Sequence, residues 1–250
     1  MSDSIQSPSA ASPLGTLTGI GVGPGDPDLI TVRALHYLRQ AAVVAFPRGR
    51  DGAPGVAQKI IAPHLGAQQL LSLDFPYVLD PAQLTLAWQR AADQVWAVLR
   101  QGQDVVFACE GDISFYGTFT YLAQALQATH PEVTIRRVPG VSSPMAAASA
   151  LGLPLTVQGD KLAVLPALYS LAELGHTLDW ADVVVLLKVS SVYGQVWPLL
   201  HQRQLLSQSW VVVRASQPDQ QIYRDLARYP ELDLPYFSLM VIRCGANPLG

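Results

Sequence analysis

The chain has 250 residues, half of them apolar and only 14% charged, with a formal net charge of −3. That is enough for one large or two modest domains with real cores, and too apolar for a disordered chain. The mild acidity argues against a protein that lives on nucleic acid. No apolar run approaches the roughly 18 residues that a membrane span requires.

The opening "MSDSIQSPSAASPLG" has neither the basic start nor the apolar stretch of a secretory signal. Its Ser/Pro/Ala composition predicts a flexible tail over residues 1–14. The two cysteines, Cys109 and Cys244, stand in no CxxC or Cys/His spacing. They read as free thiols in a reducing compartment, so a soluble cytoplasmic protein is expected, with no protein-bound metal.

From Leu17 onward, short β-rich runs alternate with helical patterns. "TLTGIGVG" predicts a strand that enters a glycine loop. "PDLITVRALHYLRQA" places Leu29, Val32, Leu35 and Leu38 at helical spacing. "AVVAFP" reads as a buried strand, "GVAQKIIAPHL" as a second helix. In "PAQLTLAWQRAADQVWAVLRQG", Leu84, Ala87, Ala91, Val95 and Val98 share one helix face. "DVVFACEGD" is an apolar strand ending at a glycine and an acid, and "FYGTFTYLAQALQA" reads as helix. "VTIRRVPG" predicts a strand and "SSPMAAASALG" a small-residue helix. "KLAVLPAL", "DVVVLLKV", "SWVVVRAS" and "YFSLMVIR" follow as strands, with helical patterns between the first three. Such alternation means an α/β architecture. The polar stretch "ATHPEV" suggests an N-terminal lobe over 15–131 and a C-terminal lobe over 132–250.

Four places carry chemistry. "GIGVGPGDPDL" has four glycines in seven residues on the exit of a strand, where open α/β folds bind ligands. Yet it continues with Asp26 and Pro27 where a dinucleotide fingerprint needs a third glycine, and it lacks the Lys-Ser/Thr of a P-loop. A carboxylate at the entrance would also repel phosphate. Asp26 can cap the next helix, with Pro27 at its first position and Asp28 in its first turn. The alternative is a ligand that carries positive charge. "CEGDISFYG" brings Glu110, Gly111 and Asp112 to a sheet edge beside Phe115 and Tyr116: a turn and helix start, or a site for hydroxyl or ammonium groups with a stacking platform. In "VPGVSSPMAAASALGLPL", Ser142 and Ser143 can cap a helix. Finally, Arg33, Arg39, Arg48, Arg50 and Lys59 stand against one acid, Asp51, in an otherwise acidic chain. They form either a solvated face or a site for a polyanion, with Arg48 and Arg50 on a Gly-rich loop.

It is the order of these stretches that is specific. "GVGPGDPDLIT", "EGDISFYG", "VPGVSSPMAAASALGLPL", "LLKV" and "VVVRASQPDQQIYRDL", from about Leu17 to Arg243, resemble the tetrapyrrole (corrin/porphyrin) methyltransferases. The chain reads Asp112-Ile113-Ser114 where many of that family carry Gly-Asp-Pro. "EGDISFYGTFTYL", "GDKLAVLPA" and "PYFSLMVIR" are most similar to the branch that methylates precorrin-2 at C20 in cobalamin biosynthesis. The resemblance implies two α/β lobes of the class III methyltransferase type, each with a central mixed sheet, and a homodimer. It implies S-adenosylmethionine as co-substrate, contacted by Pro24, Gly111, Asp112, Phe115, Ser142, Ser143, Lys188, Ala215 and Ser216. The acceptor's peripheral carboxylates would suit Arg33, Arg48, Arg50 and Lys59.

Methyl transfer from a sulfonium chiefly requires alignment and exclusion of water. Loss of a proton from the methylated carbon calls for a base, for which Asp26, Glu110, Tyr116 and His36 are candidates. The same chemistry on a cobalt-containing macrocycle or at another ring position, methylation of a protein residue as in diphthamide formation, and a non-catalytic macrocycle-binding domain are the competing readings.

Overall fold

The computed structural model describes residues 13–49, 53–76, 78, 80–166 and 170–245. Most of the expected tail, and Arg50, lie outside that set. Among the described residues no helix is long and apolar enough to cross a membrane.

The first sheet is built from β1 (Leu17–Gly21), β2 (Val43–Pro47), β3 (Gln69–Leu73), β4 (Val105–Cys109) and β5 (Ile135–Val138), in the order β3-β2-β4-β1-β5. Every pairing in it is parallel, so it is not the mixed sheet expected. A parallel sheet must be covered on both faces, and its central strands accordingly read as unbroken apolar runs. β1 and β4 are buried at all five positions. Helices α3 (Pro81–Leu99) and α4 (Phe119–Thr129) pack Ala91, Val95, Leu99, Phe119, Leu122 and Leu126 onto Leu17, Val105 and Phe107 on one face. Helices α1 (Val32–Gln40) and α2 (Val56–Ile61) lie against β1, β2 and β4 from the other.

The second sheet takes β6 (Leu162–Leu165), β7 (Val183–Leu187), β8 (Ser209–Val213), β9 (Gln221–Arg224) and β10 (Ser238–Arg243), ordered β6-β7-β10-β8-β9. It is mixed: β6 and β7 are parallel, while β10 runs antiparallel to both β7 and β8. Helix α5 (Ser143–Leu151) covers one face through Ala146, Ala147 and Leu151. Helices α6 (Leu171–Trp180) and α7 (Tyr193–Gln202) cover the other through Leu174, Val196 and Leu200. At the end of central strand β10, Arg243 is buried and donates to Asp160 at 3.0 Å and to the Pro154 carbonyl at 3.1 Å.

The chain divides into two compact units, one holding the described residues up to Val22 with Thr31–Gly140, the other Gly23–Ile30 with the described residues from Val141. The division falls after Gly140, not at the 131/132 boundary expected, because β5 pairs with β1 and so completes the first sheet.

Three local expectations also shift. The helix after the glycine loop starts at Val32, capped by Thr31 Oγ1, which accepts the Ala34 N–H. Leu29 belongs to a separate 3-10 turn and Val32 is 70% exposed, so the buried stripe is Ala34 and Leu38. α4 begins at Phe119 rather than near Phe115, because Tyr116 takes a left-handed φ of 55° that no helix continues through. β3 and β9 were not apparent in the sequence. Both are short edge strands with mostly exposed or half-buried positions, β3 reading Gln-Leu-Leu-Ser-Leu and β9 Gln-Ile-Tyr-Arg, so neither shows clean alternation.

At the carboxyl edge of the first sheet, backbone meets backbone without side chains. A Cβ built on Gly140 would stand 2.3 Å from the Gly111 carbonyl oxygen and 2.6 Å from the Gly21 carbonyl carbon. Neither neighbour is a flexible tip that could move away. Gly140→Ala is therefore expected to destabilise the chain by about 1–3 kcal/mol through overpacking, read as a lowered urea midpoint. An unchanged midpoint would contradict this packing.

Candidate functional site

In the first unit, β1 and β4 are adjacent and parallel, yet the helices that follow them, α1 and α4, lie on opposite faces of the sheet. This is a topological switch point, and ligands of open α/β sheets bind outside the carboxyl ends of such strands. The stretch Glu110–Gly117 leaves β4 there. Gly111 turns with φ 69°. Asp112 then spends both carboxylate oxygens on protein: Oδ2 accepts the Gly140 N–H at 2.8 Å, and Oδ1 accepts the Ser114 N–H at 2.8 Å as well as the Ser114 hydroxyl. Ser114 thus closes an Asx-type turn. Burial pushes the Asp112 carboxyl up, but these hydrogen bonds outweigh it and hold the group below the usual carboxylate range. Ile113 is buried beneath the turn. Phe115 is half-buried, its ring edge-on to Tyr116 at 4.8 Å, and Tyr116 stands 57% exposed. Glu110 is half-buried at the mouth of the same turn.

In the second unit, the loop Gly23–Ile30 lies on the turn that follows β8. The Asp26 N–H donates to Ser216 Oγ at 3.2 Å, and Gln217 Nε2 donates to the Pro24 carbonyl at 3.3 Å. Pro24 and Ala215 are buried there. The Asp26 carboxylate does cap, but it caps only the 3-10 turn Pro27–Leu29, with Oδ1 accepting the Asp28 N–H at 2.9 Å. The long helix has Thr31 for that purpose.

β7 and β8 both run antiparallel to β10 between them, so their ends share one edge of the second sheet. That edge gathers three non-glycine residues in the left-handed region: Lys188 at φ 56°, Arg214 at 48° and Ser216 at 64°. Backbone held there costs energy and tends to collect at functional sites. Lys188 is exposed, with its ammonium 5.5 Å above the Tyr236 ring. Ser142 occupies the N-cap of α5 without a side-chain hydrogen bond into the helix, and Ser143 is its first residue. The cap expected from these hydroxyls is thus formed by backbone alone.

The basic set is spread along the first unit. Arg33 is in the first turn of α1, Arg48 directly follows β2, and Lys59 is in the last turn of α2, all exposed. Arg39 sits at the other end of α1 from Arg33. None of these four is in an ion pair among the described residues, whereas Arg203, Arg214, Arg228 and Arg243 of the second unit each hold an aspartate. His36 is exposed on α1.

The structure therefore brings Pro24 and Asp26 together with Ala215 and Ser216, and groups Glu110, Gly111, Asp112, Phe115 and Tyr116 on one turn. Sequence reasoning missed Gln217 and Ser114, which hold these two loops in shape. The only trace of them in the sequence is the polar character of "ASQPDQQ" and "GDIS".

The sequence pattern of the tetrapyrrole (corrin/porphyrin) methylases matches residues 16–229. The chain is 33% identical over 230 residues to the cobalt-precorrin-2 C(20)-methyltransferase of Salmonella typhimurium, covering 91% of this chain and 96% of that one. It is 32% identical over 240 residues to the precorrin-2 C(20)-methyltransferase of a Sinorhizobium species, covering 92% and 95%. A solved uroporphyrin-III C-methyltransferase from Thermus thermophilus, complexed with S-adenosylhomocysteine, aligns over 92% of this chain and 97% of its own with a TM-score of 0.63. At 21% identity that likeness shows a common fold. The pattern match begins just before β1 and runs through β9; the chain belongs to the tetrapyrrole (corrin/porphyrin) methylases.

Proposed function

We propose that this protein transfers a methyl group from S-adenosylmethionine to C20 of precorrin-2, giving precorrin-3A in corrin synthesis. The observation that carries the donor assignment is the composition of the Gly23–Ile30 loop and its flanks. It is glycine-rich and follows a parallel strand, but it holds Asp26 and Asp28, with no Lys or Arg from Leu17 to Val32. Such a loop suits a donor whose reactive centre is a cation, and it would repel a polyphosphate. The ring position comes from the two C(20)-methyltransferase relatives, each matched over more than nine-tenths of this chain. One of them acts on the cobalt-bearing macrocycle by name, which keeps cobalt-precorrin-2 as the second reading.

When bound, the donor supplies an activated methyl on sulfonium, with a neutral thioether as leaving group. The chain's task is to orient and to exclude water. The donor contacts proposed are Pro24, Ser142, Ser143, Lys188, Ala215 and Ser216 within the second unit, and Gly111, Asp112 and Phe115 within the first. Because the Asp112 carboxylate is satisfied by Gly140 and Ser114, its contact is through backbone. Arg33, Arg48 and Lys59, together with Arg50, take the acceptor's carboxylates; that the first three form no ion pair among the described residues supports this role. Asp26 is the first candidate for removing the proton from the methylated carbon, since its Oδ2 makes no hydrogen bond among the described residues. Glu110 and Tyr116 are the alternatives. The protein works as a cytoplasmic homodimer: its two cysteines are unpaired, as a reducing compartment favours. The exposed Leu86 and Tyr121 on α3 and α4 suit a subunit contact.

Incubation with isotopically labelled S-adenosylmethionine and precorrin-2, with and without cobalt, should place one new methyl at C20 by NMR. A methyl at any other carbon would overturn the assignment. Asp26→Ala should lower kcat by about a hundred-fold or more, the scale of general-base catalysis. Loss of the cap should cost only about 1 kcal/mol of stability, and unchanged turnover would reduce Asp26 to a cap. Arg48→Ala should raise KM for the tetrapyrrole about ten-fold, the scale of a charged hydrogen bond. The KM for S-adenosylmethionine should be unaffected, and the tetrapyrrole effect should fade as salt is raised.

A further inference from the structure

We infer that Gln217 is a positioning residue for the methyl donor: its side-chain amide fixes the shape of the Gly23–Ile30 loop. This rests on the donor assignment above. Three contacts converge on the loop from one turn of the second unit. Gln217 Nε2 donates to the Pro24 carbonyl at 3.3 Å, and Ser216 Oγ accepts the Asp26 N–H at 3.2 Å. Between those two points sits Gly25, where a Cβ would stand 2.3 Å from Gln217 Cγ and 3.1 Å from the Ala215 carbonyl oxygen. The side chain of Gln217 thus occupies the space that the missing side chain of Gly25 leaves, and its amide reaches one residue further to Pro24.

The turn that presents Gln217 is itself held. Gln220 Oε1 accepts the Ser216 N–H at 2.7 Å, while the Gln217 N–H reaches the Arg214 carbonyl at 2.9 Å. Ser216 lies in the left-handed region, at φ 64°. The loop has little internal structure beyond its single 3-10 turn. Its three glycine-proline-glycine residues, Gly23-Pro24-Gly25, have no side chain that could hydrogen-bond to fix their carbonyls. An outside donor to the Pro24 carbonyl therefore decides where that carbonyl and the adjoining peptide planes point. Any donor-binding surface made of those peptide groups is set by Gln217, which touches the loop and need not touch the donor.

Gln217→Met tests this, since methionine keeps the length and most of the packing against Gly25 while removing the N–H. The variant should bind S-adenosylhomocysteine about five-fold more weakly, the weight of one neutral hydrogen bond. KM for S-adenosylmethionine should rise by a similar factor, with KM for the tetrapyrrole and the melting temperature unchanged. Gln217→Lys, which restores a donor, should recover most of the loss. Amide exchange over residues 23–30 should quicken in Gln217→Met without any ligand. If wild type binds S-adenosylhomocysteine and Gln217→Met binds it equally, the positioning role is wrong while the donor assignment stands. If wild type does not bind it, both fall. A variant that loses melting temperature and both KM values together would show a general structural role and likewise overturn the inference.

Discussion

Bare backbone contact at the carboxyl edge of the first sheet is the constraint on which the candidate site depends. Gly21 ends β1, Gly111 follows β4 and Gly140 follows β5, and the three approach so closely that no Cβ fits between them. Contact of this kind is rigid, because peptide groups have no rotamers with which to yield. The Asp112 carboxylate completes it from above by accepting the Gly140 N–H. The acid that looks most like a ligand-binding group in "CEGD" is thereby a clamp. What it secures is the geometry of its own turn, and with it the placement of Phe115 and Tyr116.

Two loops of similar appearance are stabilised in different ways. The Glu110–Gly117 turn is closed from within, by Asp112 and Ser114, as an Asx turn can be. The Gly23–Ile30 loop has a short-range side-chain bond of its own, from Asp28 N–H to Asp26, and is also held by Ser216 and Gln217, nearly two hundred residues away in sequence. Short-range bonds survive as local preferences of the chain. Long-range ones exist only once the second sheet has formed and β8 has delivered its turn.

Charge is arranged with the same asymmetry. Four arginines of the second unit, Arg203, Arg214, Arg228 and Arg243, are matched to aspartates and serve the fold; buried Arg243 with Asp160 is the clearest case. Arg33, Arg48 and Lys59 of the first unit have no such partners among the described residues. Exposed cations of this kind can pair with carboxylates that come from outside the chain. The Gly23–Ile30 loop, by contrast, carries Asp26 and Asp28 and no cation.

The sequence by itself determined the α/β alternation, the long helices, the apolar central strands and the ordered motifs that identify the family. All of these rest on properties that neighbouring residues express together: periodicity, capping types and glycine spacing. The residue types of the glycine loop also weigh against a phosphate ligand, since the loop carries Asp26 and Asp28 and lacks the lysine and hydroxyl that end a P-loop. Tertiary structure alone decided that the first sheet is wholly parallel and that "TIRRV" completes it, since pairing of β5 with β1 depends on a partner more than a hundred residues away. Edge strands β3 and β9 were likewise hidden, as one open side leaves them short and without clean alternation. Only the folded chain could show which acids are occupied, with Asp112 satisfied by Gly140 and Ser114 while Asp26 keeps one oxygen without a hydrogen bond among the described residues. A carboxylate's role depends on which backbone N–H groups reach it, and that distance is set by packing rather than by local sequence.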